Sequence, residues 1–457
     1  MKRYHYIIVL LCYGIFFSCK KQDDFLDKKP NDSFSTPATL KDLELLLSNE
    51  KVFNAFTDPA FGSMCSEEYY VLSNLWETLS NQIDRNTYIW TSDIYEGTPE
   101  VMDWNMPYQQ IYYANTVLDY LPGISSNSQN RKQYNHIQGS ALFLRAYALY
   151  NLVQVFAMPF DSTTFSSALG VPIKLSSDPN IKSFRPTIKE DYDQIIADAR
   201  AAVSLLNDFP DKPTQPSKWA AYAFLARLNL AIRDYKQAYL YADSCLNLRT
   251  VLTDYQSLTP NTSSLATDFL KEDIYHRTLM NYSVNQSRIR TTIDSNLLRL
   301  YEEDDLRLTK LFWVNNGGLR FQGNYDFKGS LYSGLAVDEI LLIRAEAAVR
   351  TGKIQQGLSD INLLLKYRYK KDSFSPLVIS EPEPLLTRIL QERRKELLFR
   401  GLRWTDLRRL NLEPQHQETL TRVVKNTTYQ LLPNDKKYAL PIPLREIELT
   451  GMPQNQR

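Results

Sequence analysis

The chain of 457 residues carries 53 lysines and arginines against 52 aspartates and glutamates, a formal net charge of +1. That balance offers no basic stripe for nucleic acid, and no long run of like charge marks a disordered tail. The few histidines lack ligand spacing, and there is no HExxH, CxxC pair, G-x-S-x-G or Walker loop, so metal-assisted hydrolysis and serine-type acyl transfer lose their usual signatures and no cofactor or metal is implied.

The first residues address the chain to a compartment. Lys2 and Arg3 precede an almost wholly apolar run from Tyr6 to Phe17. The run has the length of a signal-peptide core and falls short of the roughly 20 residues that span a bilayer. It ends at Ser18-Cys19, a small residue before a cysteine, which resembles a bacterial lipobox. Residues 1–18 are thus expected to be a signal peptide and Cys19 the lipid attachment site. Several acyl chains on one cysteine hold a protein durably where a single chain does so only marginally. Residues 19–37 read as a lipidated tether, broken by Pro30 and Pro37, with Phe25-Leu26-Asp27 as a short apolar anchor.

Beyond Pro37 the chain is mainly helical by periodicity, in one body whose N-terminal part is 38–249 and C-terminal part 250–457. Leu40 to Leu47 starts a helix. Tyr108 to Leu121 carries Ile111, Tyr112, Asn115 and Leu118 on one face, and Ser140 to Phe156 is apolar nearly all round, as in a buried central helix. Thr187 to Leu206 is amphipathic. Trp219 to Leu246 reads as a helix hairpin turning at Arg233-Asp234, with the small residues Ala223, Ala226, Ala238, Ala242 and Cys245 where two helices approach. This resembles a tetratricopeptide repeat. Asp338 to Tyr367 repeats the arrangement around Thr351-Gly352-Lys353. The hairpins are not adjacent, so a continuous solenoid of fixed period is not expected. Cys65 and Cys245 read as buried thiols rather than a disulfide.

Between the hairpins, about Thr250 to Ser333, the chain is irregular, polar and dotted with aromatics, the kind of segment that carries binding function on a rigid scaffold. Sugar rings present C–H faces that stack on flat aromatic side chains, and their hydroxyls need amide, carboxylate or guanidinium partners. Two stretches hold that mixture. One gives Trp76, Asn81, Arg85 and Trp90 as candidate ligand-binding residues; the other gives Tyr282, Arg288 and Trp313. No catalytic residue is assigned. Glu392 to Glu396 gathers carboxylates and cations on one helix face, which reads as an ion-pair network rather than a pair of catalytic carboxylates across a cleft. Trp104, Trp219 and Trp404 are expected in the core.

The ordered motifs point to a family. Asp23-Asp24-Phe25-Leu26-Asp27 after Cys19, Trp104 through Tyr108 to Asn115, Arg145-Ala146-Tyr147 to Pro159 and Gly170-Val171-Pro172 come first. Arg185-Pro186-Thr187, Pro216-Ser217-Lys218 and Arg344-Ala345-Glu346-Ala347 are next. Then come Glu392 to Leu397, Gly401-Leu402-Arg403-Trp404-Thr405-Asp406-Leu407-Arg408, and a close at Pro441-Ile442-Pro443, Glu446 and Pro453-Gln454-Asn455. In this order they resemble the SusD/RagB proteins of the Bacteroidetes along nearly the whole chain after Cys19. Ala157 stands where glycine is common, and Arg400 where an acidic residue is common.

The resemblance implies a SusD-like fold with four tetratricopeptide-like helix pairs and long irregular loops. It also implies a lipoprotein of the outer membrane, facing outward. Such a protein is no enzyme: it captures a glycan, or less readily a peptide, for a SusC-like TonB-dependent transporter. A helical-repeat scaffold with only protein partners, or a surface glycoside hydrolase, are the alternatives.

Overall fold

The computed structural model describes residues 37–260, 265–286, 291–315 and 318–457. The predicted leader and tether with Cys19, and the candidate Arg288, lie outside them. Among the described residues no helix is long and apolar enough to cross a membrane.

The predicted helices form where periodicity placed them, and their ends have local causes. Helix α1 (Leu40–Leu47) starts at a capping box: the Thr39 hydroxyl accepts from Asp42 N–H while Asp42 accepts from Thr39 N–H. α2 (Met102–Tyr120) is longer than predicted and runs through Pro107, which removes one intrahelical backbone donor. α3 (Arg131–Phe156) runs for 26 residues and is buried nearly all round from Ile137 onward. α4 (Ile188–Leu205) begins at a second capping box, Thr187 with Glu190.

The first hairpin is α5 (Lys218–Ala231) and α6 (Tyr235–Leu248), turning through Arg233 at φ +63°. The second is α7 (Val337–Arg350) and α8 (Ile354–Lys366), turning through Gly352 at φ +82°. Gly357 lets α7 and α8 close: a Cβ there would lie 2.6 Å from Val349 Cγ2 and 2.9 Å from the Ala345 carbonyl. Cys65 and Cys245 are free, buried thiols, as read from the sequence. α9 (Pro382–Glu396) and α10 (Arg403–Leu410) complete the main helices.

The two hairpins, not adjacent in the chain, are adjacent in space. α2 packs on α3, α3 on α4, α4 on α5, and so on through α8, with α6 laid directly against α7. The chain leaves the stack after α6, builds the irregular segment, and re-enters at α7 without breaking the row. Sequence period could not show this, because the interruption lies in the chain and not in space. Buried charges lock the row. Arg145 on α3 donates to both carboxylate oxygens of Asp198 on α4, at 2.7 and 2.8 Å, and to Asn115 on α2 at 2.9 Å. Arg227 on α5 forks onto Glu339 of α7 at 2.8 and 2.7 Å. Paired guanidinium forks satisfy charges that burial would otherwise make costly.

The irregular segment is pinned by short antiparallel pairs. β1 (Tyr69–Val71) pairs with β3 (Thr291–Ile293), and β2 (Asp273–Tyr275) with β6 (Leu335–Ala336). β4 (Phe312–Asn315) pairs with β5 (Gly318–Phe321), and β7 (Leu420–Val424) with β8 (Thr427–Leu431).

Candidate ligand-binding site

Strand pairing brings the two candidate stretches together. In β1–β3 the opposed residues are Tyr69 with Ile293 and Tyr70 with Thr292. Tyr69, Val71 and Ile293 are buried, so alternation turns Tyr70 outward, where it is 40% exposed. In the β4–β5 hairpin Phe312 opposes Phe321, and Trp313 opposes Arg320. Phe312 packs on Tyr301 at 5.5 Å and Phe321 on Phe399 at 5.0 Å. The same alternation therefore places Trp313 and Arg320 on the other face.

β5 runs beside β3, and Arg320 Nη1 donates to the Thr292 hydroxyl at 3.4 Å. Tyr70, Thr292, Arg320 and Trp313 thus form one row across four strands: an aromatic at each end, a hydroxyl and a guanidinium between. Tyr70 is exposed, and Trp313 and Arg320 are partly so, with Trp313 Nε1 and Arg320 Nε turned away from solvent.

Two buried carboxylates hold the row against the helical body. Asp84, in the short helix Gln82–Tyr88, accepts the Ser283 N–H at 3.0 Å. Asp103, on α2, accepts from Ala60 N–H at 2.6 Å, Phe61 N–H at 2.8 Å and the Tyr282 hydroxyl at 2.6 Å. Burial pushes both acids up to about 6, against the hydrogen bonds that favour the ionised forms.

The sequence candidates separate accordingly. Trp313 lies in the row. Tyr282 is a strut: its hydroxyl is held by Asp103 and its ring packs 5.2 Å from Phe61. Trp76 is partly buried, with its indole N–H on the Arg85 carbonyl at 3.3 Å. Arg85 turns back onto its own segment, donating to the Leu79 carbonyl and the Gln82 side chain, and Asn81 caps the Gln82–Tyr88 helix through Ile83 N–H at 3.0 Å.

Trp90 is corrected outright. It is 1% exposed, donates to the Cys65 carbonyl at 3.1 Å and lies 4.8 Å from the Arg422 guanidinium, so no ligand reaches it. Its neighbourhood of Asn and Arg residues has the composition of a binding surface, but those residues cap and brace local turns.

Tyr70, Thr292 and Arg320 are absent from the sequence candidates. The signal for the last is present: the run Phe312-Trp313-Val314-Asn315-Asn316-Gly317-Gly318-Leu319-Arg320-Phe321 sets an Asn-Gly step between two alternating segments, a hairpin pattern. Nothing local marks Tyr70 and Thr292, since their pairing is non-local.

The family model described as starch-binding, associating with the outer membrane, matches residues 24–230, and the SusD family model matches 338–456. The chain belongs to the SusD/RagB family. SusD-like protein P2 of Formosa agariphila is 25% identical over 374 residues, 68% of this chain and 71% of that protein. A SusD superfamily structure from Bacteroides thetaiotaomicron superposes with a TM-score of 0.74 at 23% identity, covering 92% of this chain and 100% of that one. A SusD-like carbohydrate binding protein from Bacteroides vulgatus gives 0.69 at 20%, covering 91% and 97%. At such identities the structures establish the fold.

The SusD/RagB motif residues prove to be scaffold. Arg145 staples α2, α3 and α4 together. Trp404 is 1% exposed and stacks on Tyr438 at 4.6 Å. Glu392 and Glu396 are fully buried on Arg307, at 2.5 and 2.9 Å, and Arg368 bridges Glu396 to Glu272. They form the expected ion-pair network and line no cleft. Arg400, at the position where SusD/RagB proteins commonly carry an acid, pairs with Asp338 at 2.7 Å between the rings of Tyr325 and Tyr332. No group of three or more His, Cys, Asp or Glu among the described residues gathers to hold a metal.

Proposed function

We propose that the protein is a surface lipoprotein, anchored through Cys19, that captures a glycan and passes it to a SusC-like TonB-dependent transporter without acting on it chemically. The observation that carries the reading is the row Tyr70–Thr292–Arg320–Trp313 across the strand pairs, with Tyr70 exposed and the other three partly exposed. A sugar chain laid along it would stack on the two rings and find donors and acceptors between them. Membership in the SusD/RagB family supports the transporter partnership and the outer-membrane location. A cargo carrier that must release its ligand is served by a dissociation constant between micromolar and millimolar, about 4 to 8 kcal/mol in all.

A panel of neutral oligosaccharides and short peptides, titrated calorimetrically against the wild type, tests the capture step. Binding of one glycan class supports it; peptide binding alone would redirect the assignment of cargo. Radiolabelled fatty acid that marks the wild type but not Cys19→Ala tests the anchor, and equal labelling of both would sink it. Co-purification of a barrel partner tests the hand-over.

A further inference from the structure

The row Tyr70–Thr292–Arg320–Trp313 holds one charge, and it is positive. Arg320 opposes Trp313 in the β4–β5 hairpin and is half-buried. Its Nη1 is shared between the Thr292 hydroxyl at 3.4 Å and the Leu319 carbonyl at 3.3 Å. Both acceptors are neutral, so they place the guanidinium without cancelling its charge.

The chain around the row is uneven in the same sense. Three stretches build it: Tyr69 to Trp76, Asn281 to Ile293 and Phe312 to Phe321. Together they hold Arg288, Arg290 and Arg320 and no aspartate or glutamate, in a chain whose net charge is only +1. Of these three arginines Arg320 alone is among the described residues, and the site rests on it. The acids that flank the stretches are turned to the scaffold. Glu67 takes Arg403 at 2.5 Å and Arg394 at 3.2 Å. Glu68 is buried and accepts the Phe399 N–H at 2.8 Å. Glu77 pairs with Lys425 at 2.5 Å, and Asp294 caps the helical turn after β3 by accepting the Leu297 N–H at 2.9 Å. Asp84 and Asp103 hold Ser283 and Tyr282. The hydroxyl of a neutral sugar is served by any donor or acceptor, whereas a guanidinium whose neighbouring acids are engaged elsewhere discriminates by sign. Its planar fork fits the oxygens of a carboxylate or a sulfate, and partial burial strengthens the attraction.

We propose that the row selects glycans bearing an anionic substituent, a uronate carboxylate or a sulfate ester, which Arg320 receives while Tyr70 and Trp313 take the sugar rings. The inference rests on the reading of the row as the glycan platform and adds the class of glycan to it.

The test titrates matched pairs that differ in charge: tetragalacturonate against its methyl ester, and neocarratetraose sulfate against its desulfated form. Wild type, Arg320→Gln, Arg320→Lys and Trp313→Ala are compared, each with its melting temperature. Expected is a preference of at least tenfold for the anion in at least one pair, weakened by added sodium chloride. Arg320→Gln should bring the anion down to the affinity of its neutral partner, and Trp313→Ala should weaken both members of the pair alike. Arg320→Lys keeps the charge and should keep part of the preference, which separates loss of selection from loss of the hairpin. A preference in the carboxylate pair alone would assign uronates; in the sulfate pair alone, sulfate esters. Equal affinities within each pair, absence of binding included, or a preference that survives in Arg320→Gln, overturns the proposal. Equal pairs that both weaken in Trp313→Ala would leave the platform standing without the charge selection.

Discussion

Asp84 accepts the backbone N–H of Ser283 at 3.0 Å across 199 positions of sequence, and in doing so ties the segment that leads into β3 to the helical body. The carboxylate is itself buried, so the bond is made where water cannot substitute for it.

Asp84→Ala should therefore loosen the aromatic row more than it harms the fold. Removing the acceptor of the half-buried Ser283 N–H costs about 1 kcal/mol locally. Hydrogen exchange should rise at Ser283–Gln286 and at Thr291–Ile293 while the helices keep their protection. Unchanged exchange in that region would show that β1–β3 pairing alone holds it.

Asp103 gives a pH signature. Its folded pKa is raised to about 6 by burial, above the ordinary aspartate value of 3.8. The folded state thus binds the proton more tightly than the unfolded one. The stability linked to this group is fully present below about pH 4 and is lost as the pH rises through about 6. Asp103→Asn keeps an acceptor for Ala60 and Phe61 and removes the titration. The wild-type-minus-variant difference in melting temperature should fall between pH 4 and pH 7. A difference independent of pH would contradict the assignment.

The close approach of α5 and α6 is tested by volume. Ala226 is fully buried on α5. Ala226→Trp overfills that contact and should destabilise by about 1 to 3 kcal/mol or more, read as a lower midpoint in chemical denaturation. An unchanged midpoint would argue against the tight pairing.

The helical frame was legible because its signals are local: the apolar periodicity of Leu40–Leu47 and Thr187–Leu206, the small residues of the Trp219–Leu246 pair and the glycine turn at 352 each act within a few residues of themselves. The continuity of the helix row was not, since it depends on α6 meeting α7 across an excursion of the chain. The site divided in the same way. Trp313 stood out as a candidate because an aromatic in an irregular polar segment is conspicuous, and the structure sets it in the proposed row. Trp90 misled because composition cannot tell a solvent-facing indole from one whose N–H reaches the Cys65 carbonyl. Tyr70 and Thr292 stayed hidden because a three-residue strand has too little alternation to announce its partner.

The most direct measurement is calorimetric titration of an oligosaccharide that binds the wild type against Tyr70→Ala, Trp313→Ala and Trp90→Phe, each with its thermal unfolding. Trp313→Ala and Tyr70→Ala should each weaken binding at least tenfold while the melting temperature stays near wild type, because Tyr70 is exposed and Trp313 lies on the face of its hairpin opposite the packed Phe312 and Phe321. Trp90→Phe should keep wild-type affinity and lose stability, because that indole is core. Wild-type affinity in both Trp313→Ala and Tyr70→Ala would contradict the role given to the aromatic row and place glycan capture elsewhere on the molecule.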